Sequence, residues 1–215
     1  MTISQKLFAN SYDLLNTLVE WRISSYRRST AGQAVGSVLE IGFGTGSNLK
    51  YYPDSVEITA LEPNPYMFKK IRDRSSKAYK DINVFQGYGE NMPFKDEIFD
   101  TVVVTLVLCM VSDVEKVVSE ITRVLKPGGR FYFYEHVSSK SYLGKRFQSF
   151  LNPFWSFITT GCNLTRDTEK IIKEAGFAQV KSRKFTIRFG TPISLPNIVG
   201  VATKIKDHTR TGVYR

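Results

Sequence analysis

Four residues in one short run have the types and spacing to do chemistry together: Glu40, Gly42, Gly44 and Gly46, in the order acid-x-Gly-x-Gly-x-Gly. Glycine has no Cβ, so alternate glycines let the chain turn with positive φ and bring main-chain N–H groups against a ligand. A dinucleotide fingerprint G-x-G-x-x-G starting at Gly42 requires glycine at position 47, where Ser47 stands. The carboxylate two residues ahead of the turn repels a pyrophosphate and attracts an amino group. The turn therefore points away from NAD and toward a ligand with an amino end. A second acid stands in Glu62-Pro63-Asn64-Pro65. One carboxylate can hold both hydroxyls of a ribose, or it can serve as a helix N-cap partner.

The remaining reactive side chains are sparse. Cys109 and Cys162 lie far apart, as do His136 and His208, and no metal-ligand spacing or disulfide framework can be built from them. Both cysteines read as packing residues. His136 follows the run Phe131-Tyr132-Phe133-Tyr134-Glu135, which places it at a strand's carboxyl end, where a histidine can take a proton. The alternative is a histidine hydrogen-bonded beneath a lid.

These residues need elements to position them. Val38–Ile41 reads as a buried strand leading into the glycines, and Asn48–Tyr52 as a short helix stopped by Pro53. Strands follow at Val56–Leu61, Ile82–Gln86, Phe99–Val104 and Arg130–Tyr134; the strand Phe99–Val104 carries an unbroken β-branched run, which implies burial on both faces. Helices are predicted over Tyr66–Lys80, Val111–Leu125 and Arg166–Ala175, with Lys126-Pro127-Gly128-Gly129 as a turn. Tyr142–Thr160 is aromatic-rich and amphipathic rather than regular, and Val180–Ile187 and Ile198–Ala202 close the chain as two strands. Residues 3–28 carry apolar residues at helical spacing, giving an N-terminal helical cover over 1–30. The alternation predicts an α/β, doubly wound, mostly parallel sheet with an antiparallel edge strand. It forms one domain over residues 1–203, with a basic, flexible tail from 204 to 215.

Four markers stand in fixed order: the run from Leu39 to Gly46, Glu62, Gly87-Tyr88-Gly89-Glu90-Asn91-Met92-Pro93-Phe94, and Leu125-Lys126-Pro127-Gly128-Gly129. Together they resemble the class I S-adenosylmethionine (SAM)-dependent methyltransferases, which implies a seven-stranded Rossmann-like sheet. A closer similarity takes in Thr105-Leu106-Val107-Leu108-Cys109, Phe131–Val137 and Gly161-Cys162-Asn163-Leu164-Thr165-Arg166. It is to the methyltransferase-like-seven family, described as thiol S-methyltransferases. The resemblance implies SAM as cofactor, held on the ribose by Glu62 with Pro63 beside it. It places Gly42, Gly44 and Gly46 along the methionine portion, with Glu40 ordering the amino end directly or through water. Gly89 and Glu90 then lie at the adenine edge, and Thr105 and Leu106 beside the methyl group. Tyr12 either closes over the cofactor or packs as an ordinary aromatic. Phe154, Trp155 and Asn163 line a hydrophobic acceptor; the rivals for this aromatic segment are plain core and a membrane surface. Many class I enzymes hold the adenine amino group with an Asp where this chain has Tyr88, so that contact must come from elsewhere.

Composition narrows the partners. The longest apolar run falls short of the ~18 residues of a membrane span, and animal members of that family carry an N-terminal membrane anchor that this sequence does not show. A cytoplasmic, reducing compartment is the default, with membrane contact limited to the surface. The formal net charge is +10, and residues 181–215 hold eight Lys or Arg against the single Asp207. Such a block approaches anionic membranes or nucleic acid, but a solvated edge accounts for it more simply, and a nucleic-acid partner is not expected.

Overall fold

The computed structural model describes Thr17 and residues 20–75, 82–159, 161–188 and 194–206. Seven strands form one sheet: β1 Ser37–Ile41, β2 Glu57–Glu62, β3 Ile82–Gln86, β4 Phe99–Thr105, β5 Leu125–His136, β6 Gln179–Arg188 and β7 Ser194–Thr203. Their spatial order is β3-β2-β1-β4-β5-β7-β6. The first five pair in parallel, whereas β7 is inserted between β5 and β6, antiparallel to both. The strand order reverses beside β1, which pairs with β2 on one side and β4 on the other. In such sheets the crevice for a ligand opens at that point, beyond the carboxyl ends.

Burial follows the period of two along the strands. Val102 and Val104 belong to one core with Leu39, Leu61 and Phe133, while Val103 belongs to the opposite core with Val38, Ile58 and Tyr132. Helices cover both: α1 (residues 20–30), α2 Pro65–Ser75, α3 Val114–Val124, α4 Tyr142–Ile158 and α5 Thr168–Glu174. α3 shows why its sequence is helical. Asp113 caps it by accepting from Lys116 N at 2.9 Å, and Val114, Val117, Val118, Ile121 and Val124 fall on the buried face. Each such side chain contributes roughly 1.5–3 kcal/mol of burial.

Three expectations are corrected. The Pro-Gly-Gly turn lies within β5: Phe99 pairs with Leu125 and Thr101 with Arg130, so residues 126–129 arch out between two ladder positions. Gly128, at φ 77°, permits the arch. The aromatic segment is one regular helix of 17 residues, because Ser141 caps it through Gly144 N at 3.1 Å and its single Pro153 does not break it. The short helix after the glycines is a 3₁₀ turn, Leu49–Tyr51. At the chain's end, Lys204 joins the fold: its N–H donates to Gly129 O at 3.0 Å and its Nζ to Leu125 O at 2.7 Å. Residues 207–215 of the expected tail, and Tyr12 with most of the N-terminal cover, lie outside the described residues.

Candidate active site

The carboxyl ends of β1 to β4 open on a cleft of about 230 Å³. Gly42 and Gly44 line it after β1, Glu62 and Pro63 after β2, Gly89 and Glu90 after β3, and Thr105 and Leu106 after β4. Four segments far apart in sequence thus converge on one cleft. Gly42, Gly44 and Gly46 have φ of 66°, 61° and 85°, the left-handed region that glycine enters without strain. At Gly42 close approach matters as much, since a Cβ there would run into Val107 Cγ2. Gly46 shapes the turn but does not line the cleft.

Glu62 ties two of the turns together. Its Oε2 accepts from Gly44 N at 2.8 Å and its Oε1 from Asn64 N at 2.9 Å. Burial pushes its pKa up, and the two N–H groups pull it back. Each carboxylate oxygen accepts at two lone pairs, so one position per oxygen is left for a diol. Glu90 holds the facing wall: its Oε1 accepts from Ser112 N at 2.9 Å and Asp113 N at 3.4 Å.

Glu40 sits below the turn instead of lining the cleft. Its Oε1 accepts from Asn48 Nδ2 at 2.8 Å and its Oε2 from the Tyr52 hydroxyl at 2.7 Å. Burial raises its pKa to about 7, against the pull of those two donors. Asn48 also donates to Thr105 Oγ1 at 3.1 Å and accepts from Arg27 of α1 at 2.7 Å. Arg27 in turn meets Glu20 at 3.3 Å, and the Tyr51 hydroxyl donates to Glu20 at 2.5 Å. α1 is thereby docked on the first turn through a buried polar chain.

Sequence reasoning missed Glu135. It is fully buried at the end of β5. Its Oε1 accepts from Val107 N at 2.8 Å and Leu108 N at 3.0 Å, and its Oε2 from Cys109 N at 3.3 Å. The loop after β4 is therefore wrapped around one carboxylate, whose pKa burial lifts to about 7. Leu106, just before that loop, has φ 58° although it is not glycine, and its N–H is held by Tyr134 O at 2.8 Å. Strain of this kind persists where surrounding contacts impose it; here it turns Leu106 toward the cleft. The legible signal was an acid at the carboxyl end of an otherwise apolar strand, as at Glu40 and Glu62.

The expected proton acceptor and acceptor-binding residues lie elsewhere. His136 is half-buried opposite Asn197 of β7 and is not part of the cleft lining. Burial pushes its pKa down to about 4, despite the Asn197 amide beside it. Phe154 is exposed on α4. Trp155 packs on the cluster of Cys109, Cys162 and Leu164, and Asn163 N donates to Cys109 O at 2.8 Å. The two cysteines, which the sequence kept apart, meet with sulfurs 3.2 Å apart. A larger hollow of about 520 Å³ lies between α3 and α5, lined by Glu115, Arg123, Glu174 and Lys204. It has none of the strand-end turns and shares no lining residue with the cleft.

Comparison with known proteins fixes what this geometry belongs to. Residues 39–133 match the family model described as a methyltransferase domain. The human thiol S-methyltransferase TMT1A is 38% identical over 174 residues, 78% of this chain and 70% of that protein. The thiol S-methyltransferase TMT1B of Rattus norvegicus is 39% identical over 174 residues, again 78% and 70% of the two chains. The Bacillus subtilis YcgJ structure has the same fold, with a TM-score of 0.70, 20% identity, and coverage of 86% of this chain and 98% of that one. Sheet, turn and family model together define a SAM-dependent methyltransferase of class I. Within that class, the chain belongs to the methyltransferase-like-seven family. The cofactor is SAM, and the cleft suits it: a buried carboxylate with free lone pairs faces a turn too tight for any Cβ at Gly42.

Proposed function

We propose that this methyltransferase acts on a small apolar thiol, with Glu62 holding the ribose diol and the Gly42–Gly46 turn meeting the methionine portion of the cofactor. The observation that carries the thiol reading is the similarity to thiol S-methyltransferases over 78% of the chain. The cleft agrees with it. Leu106, Val107, Met110 and Val111 give its β4 side an apolar wall, which favours an uncharged, hydrophobic acceptor over a charged amine.

When bound, SAM supplies an activated methyl group for in-line displacement by a nucleophile. The chain's contribution is position. An unperturbed thiol has a pKa of ~8.5, so some thiolate exists at neutral pH without help from the protein. Orientation of the acceptor then supplies much of the rate. That division of labour fits a site in which His136 stays neutral and off the cleft wall. His136 is better assigned to holding β5 against β7 beside Asn197. Glu40 acts one layer below the ligand, through Asn48, on the position of Thr105.

Incubation with radiolabelled SAM and a panel of thiols, amines, phenols and phospholipids tests the reading. Label is expected on alkyl and aryl thiols, with the rate rising with pH through the acceptor's own pKa. Label confined to amines or lipids would overturn the thiol assignment while leaving the methyltransferase intact.

A further inference from the structure

α4 is amphipathic in the wrong direction for a helix that packs on a core. Its inward side is polar: Gln148 is buried, accepts from Ser139 N at 2.6 Å and donates to Val137 O at 3.2 Å. One turn on, Asn152 accepts from Leu164 N at 2.7 Å. Trp155 completes the seat, packed on the same cluster as Met110 of the cleft wall. The outward side carries Leu143, Phe147, Phe150, Phe154 and Phe157, with exposures of 78%, 43%, 81%, 68% and 81%. At 100° per residue these five fall within an arc of about 80°, along roughly 21 Å of helix. A solvated face would carry charge in that arc, and here there is none.

The charges that α4 does carry are all positive. Lys145 and Arg146 lie in its first turns and Lys140 just before it, and no Asp or Glu occurs between residues 140 and 158. We propose that this face seats the protein on an anionic lipid bilayer, with the aromatic stripe at the boundary of headgroups and acyl chains and the cationic end on lipid phosphates. Large, flat apolar side chains beside snorkelling cations suit that boundary. A second copy of the chain fits less well, since it would bring another +10 protein, with the same cationic end, against the first. α4 starts at the carboxyl edge of the sheet, directly after β5, so a seated helix brings the mouth of the cleft toward the lipid. This holds whether or not the acceptor is a thiol, because it rests on the helix and not on the cleft.

Flotation with vesicles of phosphatidylcholine, with or without phosphatidylserine, tests it on the full chain. Binding is expected with phosphatidylserine and should weaken as salt is raised. The triple variant Leu143→Gln, Phe150→Gln, Phe157→Gln alters only exposed side chains, so its circular dichroism and melting temperature should match the parent. Its vesicle partitioning should fall by about tenfold or more. Lys140→Glu with Arg146→Glu should remove the preference for phosphatidylserine. The proposal is overturned by no flotation of the parent chain, by flotation unchanged in the triple variant, or by a dimer in sedimentation that the triple variant dissolves while vesicles go unbound. Flotation lost on deleting residues 1–16 yet kept in the triple variant would move the contact to the N-terminus and equally overturn it.

Discussion

At the scale of single residues, three buried glutamates stand at strand carboxyl ends, and their partners give them different work. Glu62 faces the cleft with one backbone donor on each oxygen. Glu62→Gln puts an amide N–H₂ against one of those donors and withdraws an acceptor from the ribose. Charge-assisted hydrogen bonds contribute about 1.5–3 kcal/mol each, so SAM affinity is expected to drop roughly 10–100-fold by calorimetry. Unchanged affinity would place the ribose elsewhere. Glu135 does not line the cleft, and its signature is a pH dependence of stability. Its folded pKa of about 7 lies above the ordinary 4.5 because burial disfavours the charge. Between those values the folded state binds more protons than the unfolded one, so stability falls as pH rises through the window. At most about 3 kcal/mol is at stake. Glu135→Gln should flatten that slope in denaturant titrations across the window, while lowering stability at the acid end by leaving one loop N–H unpaired. A slope unchanged by the substitution would assign the titration to Glu40.

At the scale of elements, what was legible in the sequence was what local chemistry dictates. β3 ends where the apolar alternation ends, and the turn after β1 had to be tight and left-handed because three glycines alternate behind a buried strand. The irregular parts were set by partners distant in sequence. Residues 126–129 became an arch because β4 pairs on both sides of it, and α4 is regular because Gln148 and Asn152 find backbone partners at Val137, Ser139 and Leu164. Those two polar residues broke the apolar pattern that a sequence reader expects on the inner face. The same distinction gives a test of the turn. Gly42→Ala meets both a left-handed φ and the Val107 side chain, whereas Gly176→Ala meets the φ alone, with nothing within 4 Å. The first is expected to cost about 2–4 kcal/mol in unfolding and to weaken cofactor binding; the second about 1 kcal/mol, with binding intact. Equal losses would mean that backbone strain, and not contact with Val107, sets the need for glycine.

At the scale of the molecule, the candidate cleft draws its walls from four strand ends, while the β6–β7 pair and the hollow between α3 and α5 contribute no residue to it. A ligand bound only to the folded state stabilises it by about 2.7 kcal/mol at a hundredfold excess over Kd, which raises the melting temperature of the whole chain. Local opening is a separate quantity, and its suppression marks where the ligand sits. Hydrogen exchange with saturating SAM is therefore expected to slow most at the turns containing residues 42–46, 62–64, 87–90 and 105–112. The outer strand β6 should change least. The backbone N–H groups of Val107, Leu108 and Cys109, already held by Glu135, should be slow without ligand, and the one left facing the amide N–H₂ should lose that protection in Glu135→Gln. Protection concentrated on α3, α5 and Lys204 would transfer the binding site to the larger hollow. Protection spread evenly would report global stabilisation with no local seat. The pattern, and not the melting shift alone, distinguishes a ligand held by the strand-end turns from one bound anywhere else on the fold.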